Sequence, residues 1–327
     1  MEQESQRIEQ YKQLVLQGAL LDKRAALELA QQPLEPLCQA ADEIRQAFCG
    51  NQFDLCTIIN GKSGRCSEDC KYCAQSAWYS TTAEAYPLLT TEALLAQAVY
   101  NDKKEVPRYS IVTSGRALNQ QEIDQVCQSV AAIKANTGVS VCASFGLLQE
   151  AQFRQLKAAG VSRIHNNLES SRRYFAQVCT THSYEEKIQT IQAAQRAGLT
   201  VCSGGIMGLG ETMEDRIDLA LTLRELGVKS VPLNMLNPIP GTPYAQNTRL
   251  TSADMCRIVA VFRFLLPDAF LRLAGGRGLL PDAGRQCFCS GANAAITGDM
   301  LTTSGYTIDQ DMQMLRELNY KVVQLHD

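Results

Sequence analysis

The sequence lacks long apolar runs and shows no strong excess of charge. Its first fifteen residues, MEQESQRIEQYKQLV, are polar and charged and do not form the apolar stretch of a secretory signal. No later run is long enough to span a bilayer. The net charge of −3 comes from interspersed acidic and basic residues, which argues against nucleic acid or a membrane as a partner. These absences predict a soluble, cytoplasmic protein.

Low-complexity segments and linkers are also absent, and 327 residues suit a single α/β barrel with extensions. Cysteine, by contrast, is abundant. Thirteen cysteines without a secretory signal indicate metal ligation or buried thiols, because disulfides rarely persist in a reducing compartment.

Short β-branched or apolar runs alternate with amphipathic helical patterns from residue 53 onward. About eight such runs occur: FDLCTII, RYSIVTS, SVCASFG, RIHNNLE, TVCSGGIM, SVPLNML, FLRLAGG and NAAIT. Repeated strand–helix pairs predict an α/β fold, a (βα)8 TIM-type barrel with its active site at the carboxyl ends of the strands. An open barrel of six strands is the alternative. Residues 1–50 form a predicted helical arm broken at Pro33, and residues 51–327 form the barrel, including a C-terminal cluster-binding segment.

The segment CSEDCKYC places Cys66, Cys70 and Cys73 within eight residues, without a fourth cysteine nearby. A zinc site needs a fourth Cys or His close by, and His165 is far along the chain. Three thiolates in one loop instead suit an iron–sulfur cubane with one open coordination position, where a substrate or cofactor can bind. The loop follows the first predicted strand, where the barrel places catalytic groups.

A second segment, GGIMGLGET at residues 204–212, connects a predicted strand to a predicted helix. Many such connections need glycine for tight turning, so this turn alone supports a structural role as well as a functional one.

The three-cysteine loop, including the aromatic Tyr72, resembles the radical S-adenosylmethionine superfamily. In that superfamily the open iron binds S-adenosylmethionine, and one electron splits the cofactor to a 5′-deoxyadenosyl radical that breaks unactivated C–H bonds. The glycine-rich turn matches the superfamily's GxIxGxxE pattern, which packs against the adenosine. The matching positions are Gly204, Ile206, Gly208 and Glu211.

The resemblance narrows to the biotin synthase family over nearly the whole predicted barrel. It rests on GRCSEDCKYCAQSAWY, HNNLESS, VCSGGIMGLGET, SVPLNMLNPIPGTP, LRLAGGR and CFCSGAN, in the family's order. The family inserts sulfur into dethiobiotin to form biotin, and a second iron–sulfur cluster inside the barrel supplies the sulfur. The resemblance implies this activity and these cofactors here, with Cys66, Cys70, Cys73 and Arg272 as catalytic residues.

In the best-known form of the family, three cysteines and an arginine bind a two-iron auxiliary cluster. Cys142, Cys202 and Arg272 match three of these positions, but Ser110 occupies the fourth. A serine oxygen is a poor ligand for such a cluster compared with a thiolate. The two-iron site is therefore expected to be incomplete.

Cys287 and Cys289 in QCFCSGAN can compensate, since a C-x-C in an extended or turning segment brings two thiolates to one side. With Cys142 and Cys202 they would hold a four-iron auxiliary cluster, and Arg272 would neutralise it. The alternative is that both are buried fillers. Six further cysteines are predicted to be core residues: Cys38, Cys49, Cys56, Cys127, Cys179 and Cys256.

Polar residues at predicted strand ends match further positions of the family. Asn167 and Asn234 correspond to contacts of the dethiobiotin ureido ring, since an amide satisfies both N–H donors and a carbonyl acceptor. Glu169 stands where the family usually has an Asp that contacts the cofactor ribose. Lys187 replaces an Arg that grips the cofactor carboxylate, so its contact would not be bidentate. His165 is predicted to be a hydrogen-bonded core histidine rather than a ligand.

Rival interpretations are a radical enzyme of related scaffold, such as a hydrogenase maturase or a mutase, and a non-catalytic iron–sulfur carrier. Neither explains both the additional thiols and the strand-end asparagines. The resemblance also implies a reducing partner such as flavodoxin or ferredoxin, a sulfur-delivery system, and a family that often forms homodimers.

Overall fold

Eight parallel strand positions form a closed barrel in the computed structural model, which describes residues 2–298 and 305–324. Pairing of the last strand with the first, from Asp54 opposite Ala294 to Thr57 opposite Thr297, closes it. The predicted (βα)8 barrel is therefore confirmed, and the six-stranded alternative is wrong. The strands are β1 (Gln52–Lys62), β2 (Arg108–Thr113), β3 (Ser140–Ser144), β4 (Val161–His165), β5 (Thr200–Cys202), β6 (Gly205–Met207), β7 (Ser230–Met235), β8 (Phe270–Leu273) and β9 (Ala294–Thr297).

One of these positions is shared by β5 and β6, which are interrupted at Ser203 and Gly204 and both pair with β7. A further strand, β10 (Lys321–Val322), pairs with the beginning of β1 outside the barrel.

Helices cover the outside of the barrel and precede it. They are α1 (Glu2–Leu16), α2 (Lys23–Ala30), α3 (Leu34–Cys49), α4 (Thr91–Lys103), α5 (Gln120–Asn136), α6 (Glu150–Ala159), α7 (Phe175–Val178), α8 (Tyr184–Arg196), α9 (Met213–Glu225), α10 (Ser252–Leu265), α11 (Arg285–Phe288) and α12 (Ile308–Glu317). Side-chain capping fixes where several of them begin. Asn119, Ser183, Thr212 and Thr251 each accept a hydrogen bond from the third residue of the following helix, whose own side chain bonds back to the cap.

Alternation along the strands separates an apolar outer layer from a polar interior. Leu55 and Tyr109 are fully buried against the helices, as is usual for a barrel core. The residues adjacent to them, Asp54, Cys56 and Arg108, have the opposite parity and point into the barrel. Since a barrel interior is normally filled with branched apolar side chains, this polar lining indicates a functional site.

Three helices precede the barrel, and Pro33 lies between α2 and α3, at the N-cap position of α3. The arm packs on the barrel's outer helices, α3 against α10 and α2 against α9. The division between residues 1–50 and residues 51–327 stays a prediction. Within residues 2–298 and 305–324, no helix combines the length and the apolar character needed to cross a membrane.

Candidate active site

A cavity of about 400 Å³ extends from the carboxyl ends of the strands into the barrel. Its outer wall includes all three cysteines of the loop after β1, and its inner wall includes Cys142 and Cys202. The predicted loop and the predicted inner cysteines therefore face one chamber. Catalytic groups at this end of the barrel are the arrangement expected of the fold.

Backbone hydrogen bonds fold the three-cysteine loop back onto itself. The N–H of Cys66 donates to the carbonyl of Gln75 (3.0 Å), and the N–H of Ala77 donates to the carbonyl of Cys66 (2.8 Å). The N–H of Cys73 donates to the carbonyl of Cys70 in a tight turn (3.0 Å). These bonds hold three half-buried thiols at the cavity wall, so the loop fits an open iron–sulfur cluster.

A polar network that the sequence analysis missed supports this loop, and its members Glu68 and His182 also line the cavity. Glu68 is buried and accepts hydrogen bonds from Nδ1 of His182 (2.6 Å) and the hydroxyl of Thr181 (2.9 Å). Burial would raise the pKa of Glu68, but these bonds hold it below the usual value. The donor atoms of Cys70, Cys179 and His182 lie within 4.8 Å of one another. Because Cys70 belongs to the loop, this group is part of the same site.

Tyr72 and Glu169 form part of the cavity wall beside the loop. The Tyr72 hydroxyl donates to Oε1 of Glu169 (2.8 Å), and burial followed by the charge of Glu169 raises the pKa of Tyr72. Glu169 has a left-handed backbone (φ 67°), which is uncommon outside glycine. Its Oε2 is buried without a hydrogen-bond partner among the described residues. An orphaned carboxylate oxygen fits a hydroxyl of a bound ligand. Lys187 and Ile206 also line this wall.

The glycine-rich turn shapes the cavity from outside its wall. A Cβ at Gly204 would lie 1.9 Å from the carbonyl oxygen of Pro232 on β7, so only glycine fits between the two strands. The N–H of Gly208 and Nε of Arg216 donate to Oε1 of Glu211 (2.8 and 2.6 Å). Gly204, Gly208 and Glu211 thus position the strand that presents Ile206, and of these four residues only Ile206 lines the cavity.

Gly204→Ala is expected to destabilise the protein, because the added methyl would overlap the backbone of β7. Such overpacking costs about 1–3 kcal/mol, and here the obstructing atom belongs to backbone that cannot rotate away. Thermal unfolding of the metal-free protein should show a lower midpoint for this variant. Gly138→Ala is the matched control, since its Cβ would lie 3.4 Å from a side-chain oxygen of Asp102. Equal midpoints for the two variants would contradict the predicted overlap.

At the inner end of the cavity, Asp54 on β1 is surrounded by three arginines. Its Oδ2 accepts hydrogen bonds from Arg163 (2.9 Å) and Arg272 (2.5 Å), and Nε of Arg108 lies 3.7 Å from its Oδ1. Burial would raise the pKa of Asp54, but the guanidinium charges, that of Arg272 first, lower it to about 2. Three cations against one carboxylate leave the inner end of the cavity electropositive. It therefore suits an anionic group such as a thiolate-bound cluster.

Arg272, predicted to be catalytic, is anchored by β1 and β9. Its Nη1 donates to the carbonyl oxygens of Asp54 (3.0 Å) and Ala295 (2.9 Å), in addition to the bond from Nη2 to the Asp54 carboxylate. Buried and fixed in this way, the guanidinium provides a stationary positive charge at the cavity wall.

Cys142 and Cys202 lie at the electropositive end of the cavity, as the family resemblance implied. The Ser230 hydroxyl contacts Sγ of Cys202 (3.3 Å). Burial raises the pKa of Cys142, and the nearby Cys202 raises it further. Burial also opposes ionisation of Cys202, but a hydrogen bond with His165 and the charge of Arg272 lower its pKa. His165 is half-buried, lines the cavity and hydrogen-bonds with Cys202.

Cys287 and Cys289 do not join Cys142 and Cys202, which corrects the predicted four-thiolate set. Cys287 lies on α11 with its Sγ 3.6 Å from Sγ of Cys256 on α10, and Cys289 is exposed at the helix end. Neither lines the cavity. The C-x-C is helical, so its two side chains diverge. The neighbouring Phe288 packs against Phe53, which points out of the barrel (ring centroids 5.3 Å apart).

Cys56, predicted to be a core filler, lines the same cavity as Cys142 and Cys202. A signal for it existed in the sequence. In FDLCTII a charged residue, Asp54, stands two positions before Cys56, so both face the same side of the strand. A buried charge on that face indicates that it lines a functional interior.

Two consecutive asparagines follow β4 at the cavity wall, and a third lies on β7. Oδ1 of Asn167 accepts from the N–H of Gly204 (3.0 Å). Asn166, which the sequence analysis did not single out, is buried, and its Oδ1 lacks a partner within the part of the chain that the structure describes. On β7, Asn234 donates to the carbonyl of Gly205 (3.0 Å) and accepts from the N–H of Gly275 (2.8 Å). All three asparagines line the cavity.

Comparison with known proteins agrees with this arrangement. The family model of the Radical SAM superfamily matches residues 62–223, and that of the Biotin and Thiamin Synthesis associated domain matches residues 232–321. Biotin synthase of Akkermansia muciniphila is 60% identical over 94% of this chain and 96% of its own length. Biotin synthase of Brachyspira hyodysenteriae is 55% identical over 96% of this chain and 95% of its own length.

Solved structures show the same fold at low sequence identity. Methylornithine synthase superposes with a TM-score of 0.83 at 17% identity, covering 96% of this chain and 97% of that structure. A maturase of the FeFe-hydrogenase superposes with a TM-score of 0.82 at 16% identity, covering 100% of this chain and 76% of that structure. At these identities the likeness extends to the fold alone.

A closed (βα)8 barrel with a three-cysteine loop at the carboxyl end of its first strand defines a radical S-adenosylmethionine enzyme. Within that class, the chain belongs to the biotin synthase family. It is therefore a sulfurtransferase that forms biotin from dethiobiotin, as the sequence analysis predicted. The maturase, mutase and carrier interpretations are set aside.

Proposed function

We propose that the chain carries out radical sulfur insertion in a single chamber that holds both the radical-forming site and the sulfur-donating site. The observation that carries this proposal is the shared cavity. Its outer wall contains Cys66, Cys70 and Cys73, and its inner wall contains Cys142 and Cys202. A substrate between the two walls would contact both the radical-forming site and the sulfur-donating site. Sulfur insertion in two stages needs both sites close to the substrate.

At the outer wall, Cys66, Cys70 and Cys73 would hold the 4Fe–4S cluster. When bound, this cluster reduces S-adenosylmethionine to release a 5′-deoxyadenosyl radical, which removes a hydrogen atom from dethiobiotin. The chain's own residues bind and orient the cofactor. The orphaned Oε2 of Glu169 would accept from a ribose hydroxyl, and the Lys187 ammonium would face the cofactor carboxylate.

Tyr72 and Ile206 would complete the cofactor pocket. The Tyr72 hydroxyl fixes one oxygen of Glu169 (2.8 Å), so the other oxygen remains available to a ligand. Ile206 presents an apolar surface to the adenosine. Gly204, Gly208 and Glu211 support that surface through the backbone contacts described above.

At the inner wall, Cys142 and Cys202 would bind the auxiliary cluster, which we propose to be of the four-iron type. Arg272 would balance its negative charge, because the guanidinium is buried beside these thiols and held by Asp54. Ser110 also lines the cavity and hydrogen-bonds with Cys142, but its oxygen is a poor iron ligand.

The asparagines at the wall would bind the ureido ring of dethiobiotin. Oδ1 of Asn166 can accept one of the two N–H groups, because it is buried and unpartnered among residues 2–298 and 305–324. Asn167 and Asn234 each use one or both amide ends on backbone groups, and each keeps further capacity for a ligand.

Dethiobiotin is expected to stimulate 5′-deoxyadenosine formation and to become biotin, whereas an analogue without the ureido carbonyl should do neither. Leaving a buried polar group unpaired costs about 1–3 kcal/mol, so Asn166→Ala and Asn234→Ala should weaken dethiobiotin binding by about tenfold. Isothermal titration with the reconstituted protein measures the affinity. Mass spectrometry measures both products.

Asn136→Ala on the exposed face of α5 is the matched control, since its amide bonds to the carbonyl of Ala132 far from the cavity. If Asn166→Ala and Asn234→Ala bound dethiobiotin as tightly as this control, the ureido contacts would be withdrawn. Absence of biotin from fully reconstituted wild-type protein would oppose the proposed function itself.

The reaction also requires a one-electron reductant and a source of sulfide, because insertion consumes both. A flavodoxin or ferredoxin and a sulfur-delivery system are the partners proposed here, and a homodimer is the proposed assembly.

A further inference from the structure

Cys56 on β1 adds a third thiol to the inner wall of the cavity. Cys56 is 5% exposed and lines the cavity together with Cys142, Cys202 and Arg272. The last three are the residues assigned above to the auxiliary cluster. The position of Cys56 in the barrel can be compared with theirs through the strand registers.

The registers place Cys56 level with Cys142. Cys56 is paired with Arg108 on β2, and Arg108 is paired with Ser140 on β3. Cys142 lies two residues beyond Ser140. In a (βα)8 barrel the strands are tilted relative to the barrel axis. Side chains at the same height along the axis therefore come from alternate strands, and each lies about two residues further along its strand than the residue paired across from the previous member. Cys56 and Cys142 satisfy this relation.

The same step continues around the barrel and closes on itself. Following the strand pairing from Cys142 across β4 to β5 and then moving two residues along the chain leads to Cys202. The same procedure from Cys202 across β7 to β8 leads to Arg272. From Arg272 through β9 it returns to Cys56. Cys56, Cys142, Cys202 and Arg272 therefore form one complete layer of the barrel interior, three thiols and one guanidinium.

Ser110 does not belong to this layer. It is directly paired with Cys142 on the adjacent strand, so it lies in the neighbouring layer formed by the other set of strands. The thiol that the family usually has at the Ser110 position is absent here. Cys56 on β1 instead brings the number of thiols in the layer to three. The surrounding charge supports ligation, because Arg108, Arg163 and Arg272 outnumber the Asp54 carboxylate.

We propose that Cys56 is a ligand of the auxiliary iron–sulfur cluster, together with Cys142 and Cys202. Three thiolates suit a four-iron cluster with one iron left open to a non-protein ligand, the same logic as in the loop after β1. Sulfide is the ligand that sulfur insertion requires there. The inference rests on the proposed function, since it assumes that an auxiliary cluster is present.

The test uses the full chain with Cys66→Ala, Cys70→Ala and Cys73→Ala as a background, so that iron is bound at the inner site alone. After anaerobic reconstitution with iron and sulfide, this background should contain about four iron atoms per chain and give a four-iron Mössbauer spectrum. Adding Cys56→Ala should remove that iron, as adding Cys142→Ala or Cys202→Ala should. Adding Cys127→Ala, a half-buried cysteine on α5, should leave it unchanged.

A second measurement does not depend on the Cys56 variant. Thiol alkylation of the folded background, before and after removal of iron with a chelator, should show Cys56, Cys142 and Cys202 protected together while iron is bound and reacting together once it is removed. Circular dichroism of the metal-free variants shows whether each one folds. Cys56→Ser serves as a near-isosteric alternative if Cys56→Ala does not.

Iron that persists in folded Cys56→Ala, together with free alkylation of Cys56 in the iron-loaded background that retains it, would overturn the inference while leaving the auxiliary cluster intact. Loss of iron in Cys289→Ala instead would assign the third thiolate to the C-x-C segment. A background that binds no iron at all would count against the auxiliary cluster, and so against the proposed function.

Discussion

Replacement of any one of Cys66, Cys70 and Cys73 by alanine is expected to abolish the reductive cleavage of S-adenosylmethionine. All three cysteines line the cavity, and we propose that they supply three thiolates to a cluster that keeps one iron open for the cofactor. With two thiolates, a second iron loses its protein ligand, and the cubane is no longer held at the cavity wall. The measurement is 5′-deoxyadenosine formed after chemical reduction of the anaerobically reconstituted protein.

The matched control is Cys127→Ala, which also removes one half-buried thiol but on the outer helix α5. It should produce 5′-deoxyadenosine at the wild-type rate. Full production by any of the three loop variants would refute the assignment of the loop as the radical-forming site.

The barrel could be predicted because the period of two residues in its strands and the period of about 3.6 residues in its helices are both visible in short stretches of sequence. Each strand segment in the sequence corresponds to a strand position, and the segment TVCSGGIM covers both β5 and β6. The interruption between them was not predicted. It follows from a tertiary contact, the approach of the Pro232 carbonyl to Gly204, which no local pattern reveals.

The outer site was predictable where its residues are close in sequence. Three cysteines in eight residues predict a ligand set by their spacing alone, and all three line one cavity. The partnership of Tyr72 with Glu169 spans 97 residues, and the brace of Glu68 by His182 spans 114, so both depend on how strands and loops meet in space.

The inner site shows how the same reasoning fails. Cys287 and Cys289 are neighbours in sequence, which suggested a shared role, but α11 separates their side chains and places them outside the cavity. Cys56 has no neighbour at ligand spacing. Its partners are on alternate strands, and only the register of the barrel brings them level. Ligands of an interior cluster are therefore better sought by strand parity than by sequence distance.

Cys142→Ala and Cys202→Ala are expected to separate radical formation from sulfur insertion. Both variants keep the loop after β1, so dethiobiotin should still stimulate 5′-deoxyadenosine formation. Biotin should fall to an undetectable level, because each variant removes a thiolate from the proposed auxiliary cluster at the inner wall of the cavity. Mass spectrometry of both products and iron counts on the reconstituted proteins provide the measurement.

Ser110→Ala gives the contrasting result. This residue faces the same cavity and contacts Cys142, but a hydroxyl contributes little to iron binding, so the variant should keep its auxiliary iron and form biotin. Biotin production by Cys202→Ala at the wild-type level would show that the sulfur comes from elsewhere. Loss of auxiliary iron in Ser110→Ala would instead make the serine a ligand at the position where the family usually has a cysteine.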